Sequence, residues 1–175
     1  MKFILENLIG IVSITILTLN TIILSCLLIP LGLIKFFLPI TNIKVLFTKF
    51  IINIGELWIF TNKIWVKALH KPNWEIIGKE NIKSNGWTIA TSNHQSFADI
   101  FLLQDITNMK MPMLKFFMKY VLIYVPIIGL SWWALDMPFL KRYTKKQLEK
   151  NPKLVGKDVR EMKRALKHYS LYPVT

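Results

Sequence analysis

Thr91-Ser92-Asn93-His94-Gln95-Ser96-Phe97-Ala98-Asp99 is the stretch on which the reading of this chain turns. It follows an apolar, β-prone run, Trp87-Thr88-Ile89-Ala90, and precedes Ile100-Phe101-Leu102-Leu103, which fits a helix. That order predicts His94 in a strand-to-helix turn and Asp99 in or near the first helical turn, where an α/β fold presents reactive groups. Five residues along a continuous helix would set the two side chains about 140° apart. With His94 in the turn, the chain folds back and brings the carboxylate to the imidazole. One ring nitrogen then donates to Asp99 while the other accepts a proton. An imidazole of ordinary pKa, about 6.5, held in one tautomer can deprotonate an alcohol as it attacks a carbonyl. The same spacing also fits a turn histidine followed by an N-capping Asp99 with no chemistry attached.

Asn93 to Asp99 resembles the N-H-x4-D box of the glycerophospholipid acyltransferases, the family of 1-acylglycerol-3-phosphate acyltransferase. Two later segments are similar to that family in the same order. Lys119 to Gly129 (KYVLIYVPIIG) resembles its Lys-x-x-L-x-x-x-P-x-x-G segment, and Asp136 to Arg142 (DMPFLKR) resembles its second motif, with Phe139 and Arg142 at the matching positions. The likeness is closest to a bacterial inner-membrane lysophospholipid acyltransferase subgroup that reads W-A-L-D-M-P-F-x-K-R here. It runs from about residue 8 to the last residue. After Tyr172-Pro173-Val174-Thr175 the family continues into a strand and an E-G-[TS]-R box that binds the acceptor's phosphate. The expectation is therefore an acyltransferase-like α/β domain that is incomplete at its C-terminal side.

The resemblance implies transfer of a fatty acyl group from a thioester of coenzyme A or acyl carrier protein to the hydroxyl of a lysophospholipid such as lysophosphatidic acid. His94 is then the general base and Asp99 its orienting partner, with no covalent acyl-enzyme and no cofactor beyond the thioester co-substrate. Lys119 is expected to stabilise developing negative charge or hold the donor. Phe139 belongs to the substrate-binding motif, and Arg142, with Lys141, is expected to contact the acceptor's phosphate through charge-assisted hydrogen bonds. The competing expectation is a catalytically inactive, membrane-anchored fragment that binds anionic lipid.

Composition bounds these readings. The 175 residues are 53% hydrophobic with a mean hydropathy of +0.38, enough for one domain plus a membrane segment but not two full domains. A single cysteine, Cys26, excludes an intramolecular disulfide. Asn7 to Ile34 is a run of 28 uncharged residues. About 20 apolar residues span a bilayer, so Leu8 to Ile29 reads as a membrane helix, with Pro30 and Gly32 expected to end it. A cleaved signal peptide has a shorter apolar core and a small-x-small cleavage site, which this run lacks. Lys2 precedes the run while Lys35, Lys44 and Lys49 follow it, an imbalance that favours the C-terminal side in the cytoplasm, and the subgroup resemblance implies the cell inner membrane.

Lys44 to Leu69 reads as a second helix, broad and apolar but interrupted by Lys49, Asn53, Glu56, Lys63 and Lys67. Aromatic residues beside lysines suit a helix at headgroup level, and an amphipathic helix packed on the domain fits equally. Past Lys71-Pro72, Trp74-Glu75-Ile76-Ile77 alternates like a strand, Asn85-Gly86 marks a turn, and Trp87 to Thr91 reads as the next strand. A helix after Asp99, an apolar segment near Met113 to Met118 and a helix breaking at Pro126 and Gly129 complete an α/β pattern. Tyr120 to Leu135, 16 uncharged residues, is too short and too interrupted to cross a membrane and is expected to be buried core. The organisation is an anchor over 1–40, an interfacial helix over 41–70 and the α/β domain over 71–175.

From Lys141 to Lys167 there are 11 Lys or Arg against 3 Asp or Glu. Val159, Met162, Leu166 and Tyr169 recur at helical intervals, so an amphipathic helix with a cationic outer face is expected from about Gly156. Lys2 and Glu6 cancel, and the whole net charge of +13 lies beyond them. A basic domain tethered to a bilayer meets anionic headgroups, and no nucleic-acid-binding motif is present. His70 and His168 stand apart from any cysteine or second histidine, which suggests no metal, and there is no Gly-rich phosphate loop.

Overall fold

Lys2–Phe37 form one 36-residue helix, α1, in a computed structural model that describes residues 2–82, 88–93, 95–96 and 98–171. Its stretch Phe3–Phe37, whose most apolar 18-residue window has a mean hydropathy of 2.3, is long and apolar enough to cross a membrane. At about 1.5 Å per residue it exceeds the roughly 30 Å hydrocarbon thickness. The expected end at Pro30 and Gly32 is corrected: the helix passes through both. A proline removes one backbone donor and crowds the carbonyl one turn back. Long apolar helices absorb that cost because the flanking bonds persist, and the ladder here continues to Leu38 N on Ile34 O at 3.2 Å. Three residues later the chain re-enters helix as α2, Thr41–His70.

The chain divides into two units, the first made of Met1–Cys26 and Ile52–Leu114. Within it α1 and α2 run antiparallel and are joined by polar side chains. Ser13 Oγ lies 2.8 Å from His70 Nε2, and Asn20 Nδ2 donates to Asn62 Oδ1 at 2.9 Å. Thr61 Oγ1 donates to Asn20 Oδ1 at 3.1 Å, and the Trp65 indole donates to Asn62 Oδ1 at 3.1 Å. In an apolar medium such bonds contribute about 0.6–2 kcal/mol each. They also make the register specific, because a slipped pairing leaves amides unpaired. The C-terminal half of α2 packs along α1. Helix α3, Ala98–Thr107, lies against α2 at Lys63, Trp65 and Lys67.

The second unit comprises Leu27–Ile51 and Lys115–Thr175. In it β1 (Met118–Lys119) is followed by a 3-10 turn over Tyr120–Tyr124, α4 (Ile128–Ala134) and β2 (Phe139–Leu140). Helices α5 (Lys145–Lys150) and α6 (Lys157–Leu171) follow. Leu28, Ile51, Ala134, Leu135 and Met137 are its buried apolar residues. Gly32 lets α1 reach α4: a Cβ there would stand 2.5 Å from Ala134 Cβ. Helix α5 starts where the sequence supplies a capping box, Thr144 with Gln147. Helix α6 starts after Gly156 (φ +68°), as its periodicity predicts.

The α/β expectation holds only weakly, since the described residues are mostly helical with one short parallel pair. Its register is Met118 with Phe139 and Lys119 with Leu140. Trp74 to Ile77 and the described part of the Trp87 to Thr91 run, residues 88–91, form no strand. Alternating apolar residues favour extended chain, but a strand also requires a neighbour for its N–H and C=O groups, and no described segment pairs with these. The expected turn at Asn85-Gly86, and Trp87 and Tyr172 to Thr175, lie outside the described residues. Tyr120 to Leu135 is only half buried core. Tyr120, Val121 and Tyr124 are exposed, whereas Gly129, Ser131, Ala134 and Leu135 are buried. Gly129 does not break a helix but sits inside α4, because a Cβ there would collide with the Ile123 carbonyl.

Candidate functional site

Asp99 lies in the first turn of α3, where the unsatisfied N–H groups of a helix start favour a carboxylate. Its Oδ2 accepts from Gln95 N at 2.6 Å and Ser96 N at 2.7 Å, and its Oδ1 accepts from Ser96 Oγ at 3.4 Å. Asp99 N donates in turn to Ser96 O at 3.2 Å. The carboxylate therefore fastens the two residues that directly follow His94. His94 itself and Phe97 lie outside the described residues.

The helix carrying Asp99 is clamped onto α2. Asp105 pairs with Lys63 at 2.7 Å and Lys67 at 3.3 Å, and Phe101 meets Trp65 with ring centroids 6.2 Å apart. Burial pushes the Asp105 carboxyl up, but Lys63 and then Lys67 outweigh it and hold the group below its ordinary value. Past the end of α3, the Asn108 amide donates to the Glu56 carbonyl at 3.2 Å and to its carboxylate, which also accepts from Met109 N at 3.3 Å. Sequence reading overlooked this clamp. The signal was the i, i+4 pair Lys63 and Lys67 on one side of α2.

The later motif residues belong to the second unit. Pairing of β1 with β2 sets Met118 level with Phe139 and Lys119 level with Leu140, which brings the backbone of Lys119 alongside that of Phe139 to Lys141. Met118 N donates to Pro138 O at 2.8 Å and fixes that register. Lys119, Lys141 and Arg142 are exposed and Phe139 is half-buried. Lys141 Nζ lies 5.7 Å from the Tyr120 ring centroid and 5.9 Å from that of Tyr143, a cation–π arrangement. Among the described residues, Lys119 and Arg142 form no hydrogen bond or ion pair.

Asp136 opens the same motif in a left-handed conformation (φ +56°), which an aspartate tolerates better than a branched residue. Lys35 Nζ donates to both its oxygens at 2.8 Å and to Ala134 O at 3.0 Å. The Tyr169 hydroxyl donates to Asp136 O at 2.6 Å. Burial, and then the Asp136 charge, push the Tyr169 phenol well above its ordinary range. Thus α1 and α6 both hold the residue that begins the Asp136 to Arg142 segment. Lys35 and Tyr169 carry no motif, and only the pairing across 101 residues identifies the lysine's part.

Compared with known proteins, residues 73–171 match a family model described as Acyltransferase. No curated protein and no solved structure matches the chain. The matched region covers more than half of the sequence and includes Asn93 to Asp99, Lys119 to Gly129 and Asp136 to Arg142. The chain therefore belongs to the acyltransferase family, that of the glycerophospholipid acyltransferases.

Proposed function

We propose that this chain transfers a fatty acyl group from acyl-CoA or an acyl carrier protein thioester to the hydroxyl of a lysophospholipid such as lysophosphatidic acid, in phospholipid biosynthesis or remodelling. His94 takes the proton of the acceptor hydroxyl as its oxygen bonds to the thioester carbon. The C–S bond then breaks, and the leaving thiol is protonated by the imidazolium. Asp99 holds the imidazole in the tautomer that accepts at the outer nitrogen. Lys119 and Arg142, with Lys141, meet the negative charges of donor and acceptor, and Phe139 lines the substrate's path. The reaction needs no cofactor besides its thioester co-substrate.

The observation that carries this reading is the Asp99 carboxylate, fixed on the turn that directly follows His94. The apolar helix α1 supports a membrane location near the lipid substrate, and the excess of Lys35, Lys44 and Lys49 over Lys2 supports the cell inner membrane with the domain toward the cytoplasm as part of this reading. Nucleic acid is not part of this reading. The test is thiol release from an acyl-CoA by the full chain with and without lysophosphatidic acid. Acceptor-dependent release is expected, with a loss of about 10²–10⁴-fold in His94→Ala. Equal release by the wild type and His94→Ala sinks the proposal.

A further inference from the structure

In the second unit, the end of α1, the start of α2, α4 with the turn after it, and α6 line an open cavity of about 240 Å³. This is far above the roughly 10–15 Å³ that one water needs. Its charged or titratable lining is Lys35, Lys44, Asp136 and His168. Lys35 and Asp136 neutralise each other. Lys44 Nζ forms no hydrogen bond or ion pair among the described residues, so the cavity keeps an uncompensated positive charge. An ammonium facing a cavity favours an anion and disfavours a cation or a purely apolar guest.

Two further features narrow the anion. Phe36 and Trp133, with ring centroids 5.8 Å apart, give the cavity an aromatic wall. A tryptophan such as Trp133 is favoured at the headgroup level of bilayers. Lys35 is also the first charge after the 28 uncharged residues of α1, so the cavity opens where that helix leaves the hydrocarbon. Of the described motif residues Asp136, tied to Lys35, lines it, whereas Asp99, Lys119, Phe139, Lys141 and Arg142 do not.

We propose that this cavity holds the phosphate of an anionic phospholipid from the surrounding leaflet, with Lys44 as its ionic ligand and Phe36 and Trp133 against its glycerol arm. The lipid is a bound neighbour of the enzyme rather than its acceptor. The proposal rests on the membrane placement of α1 in the proposed function and not on acyl transfer.

The full chain in detergent is titrated with phosphatidylglycerol, phosphatidylcholine or inorganic phosphate, and bound molecules are counted by native mass spectrometry. Wild type is expected to retain phosphatidylglycerol at least about 10-fold over phosphatidylcholine, as a charge-assisted contact allows. Lys44→Glu should fall to the phosphatidylcholine level, while Lys49→Glu, an exposed lysine outside the cavity, should not. If Lys44→Glu fails to fold, Lys44→Gln removes the charge at similar length. A headgroup photoprobe on phosphatidylglycerol should label peptides containing Trp133 or His168. Equal losses in the two glutamate variants, labelling confined to the outer face of α6, or displacement of the lipid by millimolar phosphate would each overturn the proposal. Release of the chain from membranes by alkaline carbonate would instead defeat the membrane placement. Retention in the membrane without lipid preference defeats this site alone.

Discussion

Lys35 Nζ stands 2.8 Å from both carboxylate oxygens of Asp136, joining the end of the long apolar helix to the start of a family motif. The two side chains are 12% and 22% exposed. Removing one partner of a fully buried pair costs about 3–5 kcal/mol. Partial access of water reduces that here to about 1–3 kcal/mol. Lys35→Met is therefore expected to lower the unfolding free energy by that amount, and Lys35→Met/Asp136→Asn to recover a good part of it. Additive losses across the two sites in denaturant melts would show that the pair does not couple.

Asp99 accepts two backbone N–H bonds from the turn after His94. Asp99→Asn keeps one acceptor oxygen for that turn but removes the charge that would orient an imidazole. Turnover is expected to drop by about 10²-fold or more while the helical circular dichroism signal stays unchanged. A pure helix cap would give the opposite pattern, with lower stability and near-normal turnover.

Asp105 makes a pH-dependent contribution of known sign. Its carboxyl is held below the ordinary value of 3.8 in the folded chain. The clamp on α2 is thus fully present above about pH 3.8 and is lost as the pH falls through the lower folded value. Asp105→Asn should destabilise the chain at pH 7 and flatten the acid side of a melting temperature against pH curve. A mutant curve parallel to wild type from pH 7 to pH 2 would refute the assignment.

Gly129 and Gly10 should respond to alanine in opposite ways. At Gly129 the new methyl meets the Ile123 carbonyl, whereas at Gly10 nothing lies within 4 Å. Gly129→Ala is expected to cost about 1–3 kcal/mol through overpacking. Gly10→Ala, inside α1, should be neutral or stabilising by about 0.5–1 kcal/mol. Thermal melts of the two variants in the same detergent decide the matter.

The sequence by itself determined the elements whose signals are local. Twenty-eight uncharged residues specify α1, and helical periodicity specifies α2 and α6. The three family motifs were legible because each is a short run of contiguous residues. Asp99 fell in the first turn of α3 because a carboxylate at a helix start is itself a local preference. Tertiary structure alone decided what depends on partners far along the chain. Pro30 continues a helix because flanking bonds and neighbours hold it, and Trp74 to Ile77 is no strand for want of a partner. Asn20 finds Asn62, and Lys35 finds Asp136, across 42 and 101 residues. No periodicity encodes such pairs, since each requires the chain to fold before either side chain has anything to bond.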